Sequence, residues 1–269
     1  MERSSSYGVE KLQERCYNEW MGLQTKHIED LKEALMCQQN NDHKVEDLVG
    51  KIVNDFQTYA RKRSELSHRC CANYFAPSWN SPIENSMLWM GGCRPSSFIR
   101  LIYALCGSQA ETLLTQNLLH IDENFDVNHG GFMSDLTATQ LEKINELHMK
   151  VIKKEDKITK TSANFQDDVA DMPIADVVVH GDAAVEDALD KHEEGMAVLL
   201  AEADKLRFET LRKIVEVMTP VQAAEFLLAG KRLHFSLHDR GRARADVCGG
   251  VGDDAVGRGG AGKSDRTTC

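Results

Sequence analysis

The sequence predicts an all-α protein, a single domain of packed, mostly antiparallel long helices with a disordered C-terminal tail. Three observations support this fold class: apolar residues recur at helical spacing, four segments carry helix-start signals, and only five prolines occur among 269 residues. The helical domain is expected over residues 8–240, with an acidic internal loop at 161–182. A Gly/Arg-rich disordered tail is expected over 241–269.

Two amphipathic helices are predicted in the N-terminal third of the chain. In each of them, apolar or semi-polar residues follow one another at steps of three and four, which places them on one helical face. The second stripe ends near residues 70–71. The first stripe consists of Leu12, Cys16, Trp20, Leu23, His27, Leu31 and Leu35, and the second of Val45, Leu48, Ile52 and Phe56.

Four capping boxes predict where further helices begin. In this motif a serine or threonine and a glutamate or glutamine three residues later satisfy each other's free backbone N–H groups. Gly91-Gly92 and Gly107 are expected to end the preceding helices. The boxes are Ser81 with Glu84, Ser108 with Glu111, Thr137 with Gln140, and Thr219 with Gln222.

The C-terminal half is predicted to contain a long helix over 185–218 and a last helix from Pro220 to about Asp239. The apolar run at 177–179 could form a strand, but no second run exists to pair with it, so a loop is favoured. The basic cluster at 240–244 could contact nucleic acid or serve nuclear import. A flexible, solvated tail is the favoured interpretation.

Charge and cysteine usage exclude several classes of protein. The net charge of −10 argues against general attraction to nucleic acid or to an acidic membrane surface. No apolar run approaches the roughly 20 residues of a membrane span, and the N-terminus lacks a signal peptide. The eight cysteines are scattered without a Cys-x-x-Cys motif, which argues against a zinc site or a disulfide framework. Reduced thiols in the nucleus and cytoplasm are expected.

Two motif matches are judged to be accidental. Residues 257–264 match the P-loop pattern, but no strand precedes them and only five residues follow Ser264, too few for the helix that a P-loop requires. Residues 122–133 alternate as in an EF-hand loop. There Val127 and Met133 replace the required glycine and glutamate, so a polar loop is favoured. No nucleophile elbow, zinc-protease motif or dinucleotide fingerprint occurs, and an enzyme is not predicted.

His234 and His238 are the candidate cofactor-binding residues. Their separation of four places both imidazoles on one face of the last helix, from which a neutral ring nitrogen could bind a metal or a haem iron. Residues on one face cannot serve as the two opposing axial ligands of a single haem. From spacing alone, packing or surface positions are the favoured interpretation.

Several sequence blocks together resemble a known plant family. They are LWMGGCRPSS at 88–97, LTATQL at 136–141, ADKLR with ETL at 203–211, the helix after VEVMTP, and Tyr17-x-Glu19-Trp20 followed by Gln24. This pattern resembles the plant Delay of Germination family, whose domain also forms the C-terminal region of TGA-type basic leucine zipper factors. The resemblance covers roughly residues 10–240, and its most specific part is Trp-x-Gly-Gly-x-Arg-Pro-Ser.

The resemblance implies a non-enzymatic regulator of seed dormancy and abscisic acid signalling that binds a type 2C protein phosphatase and haem. Tyr17, Glu19 and Trp20 would contact the phosphatase, because exposed aromatic side chains are strong interface anchors. Trp20 also lies on the core stripe, so burial is the alternative. His234 and His238 correspond to a haem-associated pair of the family, of which only one is expected to bind iron.

The same resemblance suggests which branch of the family to expect. No basic region or leucine zipper precedes the domain, so the stand-alone branch is expected, without direct sequence-specific reading of DNA. The alternative function is a transcriptional co-regulator that associates with TGA-type factors. The apolar helical stripes also leave self-association open.

Overall fold

The computed structural model describes residues 2–36, 42–107, 136–167 and 183–249. Within these ranges the chain forms seven α-helices and no β-strand, which confirms the all-α prediction. A 3-10 turn, Ala72–Tyr74, lies between the second and third helices. The helices are α1 (Glu2–Met36), α2 (Asp42–Ser67), α3 (Pro82–Ser86), α4 (Ser96–Cys106), α5 (Ala138–Asp167), α6 (Ala183–Val217) and α7 (Pro220–Gly249).

The long helices pack around one main apolar core. Helix α1 packs on α2 and α7, α2 also packs on α6 and α7, and α6 packs on α5. Full burial of one leucine or isoleucine side chain contributes about 1.5–3 kcal/mol, so this core is the main source of stability. No described helix is long and apolar enough to cross a membrane. Fully buried core residues include Leu31, Ile52, Ile99, Ile102, Ile144 and Ile214.

The capping boxes form where the sequence predicts them. At α3, the Ser81 N–H donates to Glu84 Oε2 at 2.8 Å and the Glu84 N–H donates to Ser81 Oγ at 3.4 Å. The same reciprocal pattern begins α5 at Thr137 and α7 at Thr219. The box at Ser108 lies outside the described residues. These local signals therefore locate three helix starts correctly.

Two of the predicted glycine stops have different outcomes. Gly107 directly follows α4, as expected. Helix α3 ends at Ser86, well before Gly91-Gly92. The two glycines instead belong to a turn in which Trp89 and Gly92 exchange backbone hydrogen bonds of 2.8 and 3.1 Å.

Helix α5 continues into the segment that the sequence predicts as an acidic loop at 161–182. It reaches Asp167, and its last turns pack on the fold because Ser162 is buried and Phe165 contacts α6. A Cβ atom at Gly195 would lie 2.6 Å from the Phe165 ring, so the absent side chain makes room for it. The rest of the predicted loop, with the apolar run at 177–179, lies outside the described residues.

Helix α7 also extends beyond its expected end near Asp239. It reaches Gly249 and therefore includes the basic cluster at 240–244, which the sequence predicts as tail. The reason is a close helix contact: Gly241 is buried, and a Cβ atom there would overlap the side chains of Ser81 and Ile83. The P-loop match at 257–264 and the EF-hand-like segment at 122–133 lie outside the described residues.

Candidate functional site

A cavity of about 370 Å³ lies between α1, α2, α6 and α7 and is closed on one side by residues 74–98. Its volume falls within the range of about 300–1,000 Å³ that is usual for small-molecule sites. The rings of Trp20 and Tyr59 stack on its wall with centroids 4.5 Å apart and planes 6° from parallel. The other Phe, Tyr and Trp side chains on the wall are Tyr17, Phe56, Tyr74, Trp79, Phe98 and Phe226.

The cavity reaches the protein surface between α3 and α7. Met87 and Leu237 line it, yet their exposed fractions are 49% and 38%. Monomeric proteins tolerate single exposed apolar side chains, so these two alone identify no interface. Together with the cavity behind them, they form an apolar opening at the protein surface.

Several polar atoms on the cavity wall have no hydrogen-bond partner among the residues that the structure describes. Such buried, unpaired atoms are uncommon in native proteins and are available to a bound molecule or to water. Burial raises the pKa of Tyr17 and of Tyr74, so both hydroxyls stay protonated and able to donate. The unpaired atoms are Tyr17 Oη, Gln24 Nε2, Tyr74 Oη and Asn80 Oδ1.

His234 lies on the wall of this cavity, whereas His238 lies beside it. Burial lowers the pKa of His234, although Glu84 opposes the shift, so its imidazole is neutral at neutral pH and keeps a ring nitrogen able to bind a metal. His238 Nδ1 lies 2.9 Å from Glu84 Oε1, and its side chain is 12% exposed. The two predicted cofactor residues therefore lie in different environments.

Glu84 joins the start of α3 to α7. Although burial alone would raise the pKa of Glu84, hydrogen bonds from Ser81 and His238 hold that pKa below its ordinary value. The ionised carboxylate therefore accepts from the Ser81 N–H and hydroxyl and orients the His238 ring. This contact places the His238 ring 6.5 Å from the ring of Tyr17.

The three predicted partner-binding residues on α1 also occupy different environments. Tyr17 and Trp20 are partly buried and face the cavity, with the Tyr17 ring 6.1 Å from that of Trp79. Glu19 is exposed and forms ion pairs with Lys62 at 3.2 Å and with Arg15 at 3.8 Å. Of the three, only Glu19 presents its side chain to an approaching protein.

The signature segment 88–97 is held in place by Arg207 of α6. Its guanidinium donates to three backbone carbonyls of the segment and pairs at 2.5 Å with the buried carboxylate of Asp204. Charged hydrogen bonds of this kind are among the stronger ones in proteins, and here they fix a segment with little secondary structure. The acceptors are the carbonyl oxygens of Trp89, Met90 and Cys93.

The paired glycines of the signature have a steric explanation. Met90 and Gly91 adopt left-handed backbone angles, with φ of 45° and 64°, and the Gly91 carbonyl accepts from Arg63 Nη2 at 2.6 Å. A Cβ atom at Gly91 would lie 2.6 Å from that guanidinium nitrogen, and one at Gly92 would lie 3.0 Å from Arg207 Cζ. The signature therefore shapes one wall of the cavity.

Sequence reasoning did not identify Lys231 as a cavity residue. Its side chain is buried, lines the cavity, and donates from Nζ to Gln24 Oε1. A signal was present, because Leu227, Lys231 and His234 follow one another at steps of four and three on one helical face. A lysine on such a face, among residues that line a core, indicates an unusual amine.

Comparisons with known proteins agree with the resemblance in the sequence. The family model described as DOG1, seed dormancy control, matches residues 27–104. Protein DOG1-like 2 of Arabidopsis thaliana is 85% identical over 95% of this chain and 100% of its own length. Protein DOG1-like 3 of the same plant is 69% identical over 98% of both chains. Transcription factor TGA7 of Arabidopsis thaliana is 21% identical over 81% of this chain and 52% of its own length.

Proposed function

This chain belongs to the DOG1 family of seed dormancy control proteins, and we propose that it acts as a non-enzymatic regulator within abscisic acid signalling. In this proposal it binds haem in the aromatic cavity and a type 2C protein phosphatase through α1. The observation that carries the haem part is the neutral His234 imidazole on the wall of a largely apolar cavity. The exposed carboxylate of Glu19 supports the phosphatase part.

The chemistry of the cavity wall supports the haem proposal. Flat aromatic side chains such as Trp20 and Tyr59 can lie against a macrocycle. His234 would bind the iron. His238, which is oriented by Glu84, would position His234 from beside the cavity. Bound haem would supply an iron centre that responds to oxidation state and to small gaseous ligands.

A haem titration followed by visible absorbance tests the cofactor. We expect a saturable Soret shift for the wild-type chain and loss of that shift in His234→Ala, because the ring that binds iron is removed. In His238→Ala we expect affinity to fall about tenfold, as is usual when a residue that orients a metal ligand is lost. Identical behaviour of all three proteins would show that neither histidine defines a haem site.

The matched control for this titration is His43→Ala. His43 is exposed on α2, with 86% of its side chain accessible, and it lies outside the cavity. Its replacement should leave the Soret shift unchanged. If His43→Ala weakens haem binding as much as His234→Ala does, the haem is associating with surface histidines in general.

The phosphatase contact is tested by reversing the charge of Glu19. We expect Glu19→Lys to weaken binding of a purified type 2C phosphatase about tenfold or more, because juxtaposed like charges oppose association. Isothermal titration would measure the affinity. Glu29→Lys is the matched control, since Glu29 is exposed on the same helix and carries the same charge. Equal effects of the two substitutions would contradict a specific contact at Tyr17–Trp20.

A second candidate function is a transcriptional co-regulator that associates with TGA-type factors without reading DNA itself. It is favoured by the similarity to TGA7, which extends over most of this chain and about half of that factor. Parallel pull-downs with a type 2C phosphatase and a TGA factor as separate baits distinguish the two functions. Capture by the TGA factor alone would favour the co-regulator.

A further inference from the structure

Lys231 of α7 carries a buried amine on the cavity wall. Its exposed fraction is 8%, and it forms no ion pair within the part of the chain that the structure describes. Nζ donates to Gln24 Oε1, lies 3.4 Å from His27 Nδ1, and lies 5.8 Å from the centre of the Trp20 ring. Both polar contacts are with neutral groups, so neither offsets the cost of burying a positive charge.

His27 connects this amine to a carboxylate on α2. The His27 ring is fully buried, and its Nε2 lies 3.0 Å from Asp55 Oδ2. Donation from Nε2–H to Asp55 leaves Nδ1 as an acceptor directed at the amine of Lys231. Burial, reinforced by the nearby lysine, lowers the pKa of His27, so the ring is neutral. The order amine, imidazole, carboxylate is the arrangement of an activated nucleophile with an oriented base.

The other charged groups near Lys231 do not neutralise this arrangement. Burial lowers the pKa of the Lys231 amine to about 7, and Asp55 opposes the shift only in part. A large fraction of the amine is therefore unprotonated at neutral pH. On the elements packed around it, Glu84 of α3 is bound to Ser81 and His238, and His234 of α7 is neutral. Asp204 of α6 pairs both with Arg207 of the same helix and with Arg63 of α2.

We propose that Lys231 reversibly binds an apolar aldehyde as an imine within the aromatic cavity. The neutral amine attacks the carbonyl carbon, a C–N bond forms, and the C=O π electrons move to the oxygen. His27 takes a proton from the nitrogen and delivers it to this alkoxide, which gives the neutral carbinolamine. His27 then moves the second N–H proton to the hydroxyl as the C–O bond breaks, and one water leaves. Aldehyde and amine become imine and water with no change of oxidation state, so no further reactant is needed.

Gln24 explains why an oxygen-bearing ligand fits beside the amine. Gln24 is 4% exposed, and its amide oxygen holds Lys231 Nζ while its Nε2 has no partner among the described residues. Gln24 Nε2–H belongs to the same amide that holds Lys231 Nζ. It can therefore donate to the aldehyde oxygen while Nζ attacks the carbonyl carbon. The aromatic wall, with the centre of the Trp20 ring 5.8 Å from the amine, would accommodate the apolar body of the aldehyde.

Reductive trapping of 2-naphthaldehyde on the full-length, haem-free chain tests this site. With cyanoborohydride at pH 7, we expect one secondary-amine adduct per chain, mapped to Lys231 by mass spectrometry of peptides. Its yield should be half-maximal near pH 7, whereas ordinary surface lysines react only as the pH approaches about 10. His27→Gln should slow trapping while leaving the affinity for 2-methylnaphthalene, which cannot form an imine, unchanged.

Two controls keep the result independent of folding. Lys231→Met should abolish the adduct, whereas Lys62→Met, at an exposed position on α2, should not. In the wild-type chain, an excess of 2-methylnaphthalene should block labelling of Lys231 without altering labelling elsewhere. Adducts spread evenly over surface lysines would overturn the proposal. So would tight binding of 2-naphthoate without any aldehyde adduct, since the amine would then pair with a carboxylate. Neither result depends on phosphatase or haem binding.

Discussion

Replacing Arg207 by methionine is expected to lower the free energy of unfolding by about 3–5 kcal/mol, the usual cost of breaking a buried ion pair. Methionine fills much of the volume, but the buried carboxylate of Asp204 loses its partner at 2.5 Å and keeps only Arg63, whose Nε lies 3.5 Å away. The carbonyl oxygens of the signature segment also lose their donor. Urea unfolding followed by circular dichroism measures the effect, which is large beside a typical total of about 5–15 kcal/mol.

The matched control is Arg212→Met on the same helix. Arg212 is 48% exposed and pairs with Glu216 one turn away, so its loss should cost less than about 0.5 kcal/mol. Asp204→Asn combined with Arg207→Met should cost less than the sum of the two single substitutions, because Asp204 and Arg207 belong to one ion pair. Equal costs for Arg207→Met and Arg212→Met would contradict the role assigned to the Arg207 guanidinium.

The parts of the fold that the sequence predicts correctly depend on local interactions. A capping box such as that at Thr219 is complete within four residues, and an amphipathic stripe needs only helical spacing. The helix ends that differ depend on contacts between distant segments. Phe165 extends α5 by packing over Gly195, and Gly241 extends α7 by allowing close approach to Ser81. Neither neighbour can be identified from composition, which is why both helices exceed their predicted lengths.

The residues of the candidate site likewise divide into those predicted by local sequence and those that depend on contacts between distant segments. His234 is identified by its spacing from His238 and by the family resemblance, both of which are visible in the sequence. The amine of Lys231 is unusual only because Gln24 and His27, 207 and 204 residues away in the chain, close around it. Asp55 reaches His27 from another helix. A helical stripe indicates that Lys231 faces inward, but only the packing of α1, α2 and α7 shows what it meets.

Gly91→Ala and Gly22→Ala should change stability in opposite directions. At Gly91 the left-handed backbone costs an alanine about 1–2 kcal/mol, and the added Cβ would lie 2.6 Å from Arg63 Nη2 and 2.9 Å from the Tyr74 carbonyl oxygen. Overpacking of this kind typically costs about a further 1–3 kcal/mol. Gly22 lies inside α1 with nothing within 4 Å of an added Cβ, so alanine there should stabilise by about 0.5–1 kcal/mol.

Thermal unfolding of the two variants beside the wild type tests whether the turn in the signature segment requires glycine at position 91. A fall in Tm for Gly91→Ala with a rise for Gly22→Ala is the expected result, because only Gly91 needs both its backbone angle and its missing side chain. An unchanged Tm for Gly91→Ala would mean that the segment can turn another way. The hydrogen bond from Arg63 to the Gly91 carbonyl would then not fix the cavity wall. If Tm falls for Gly91→Ala but does not rise for Gly22→Ala, the steric explanation of the signature still holds. Only the expected gain in helix stability at Gly22 would then be wrong.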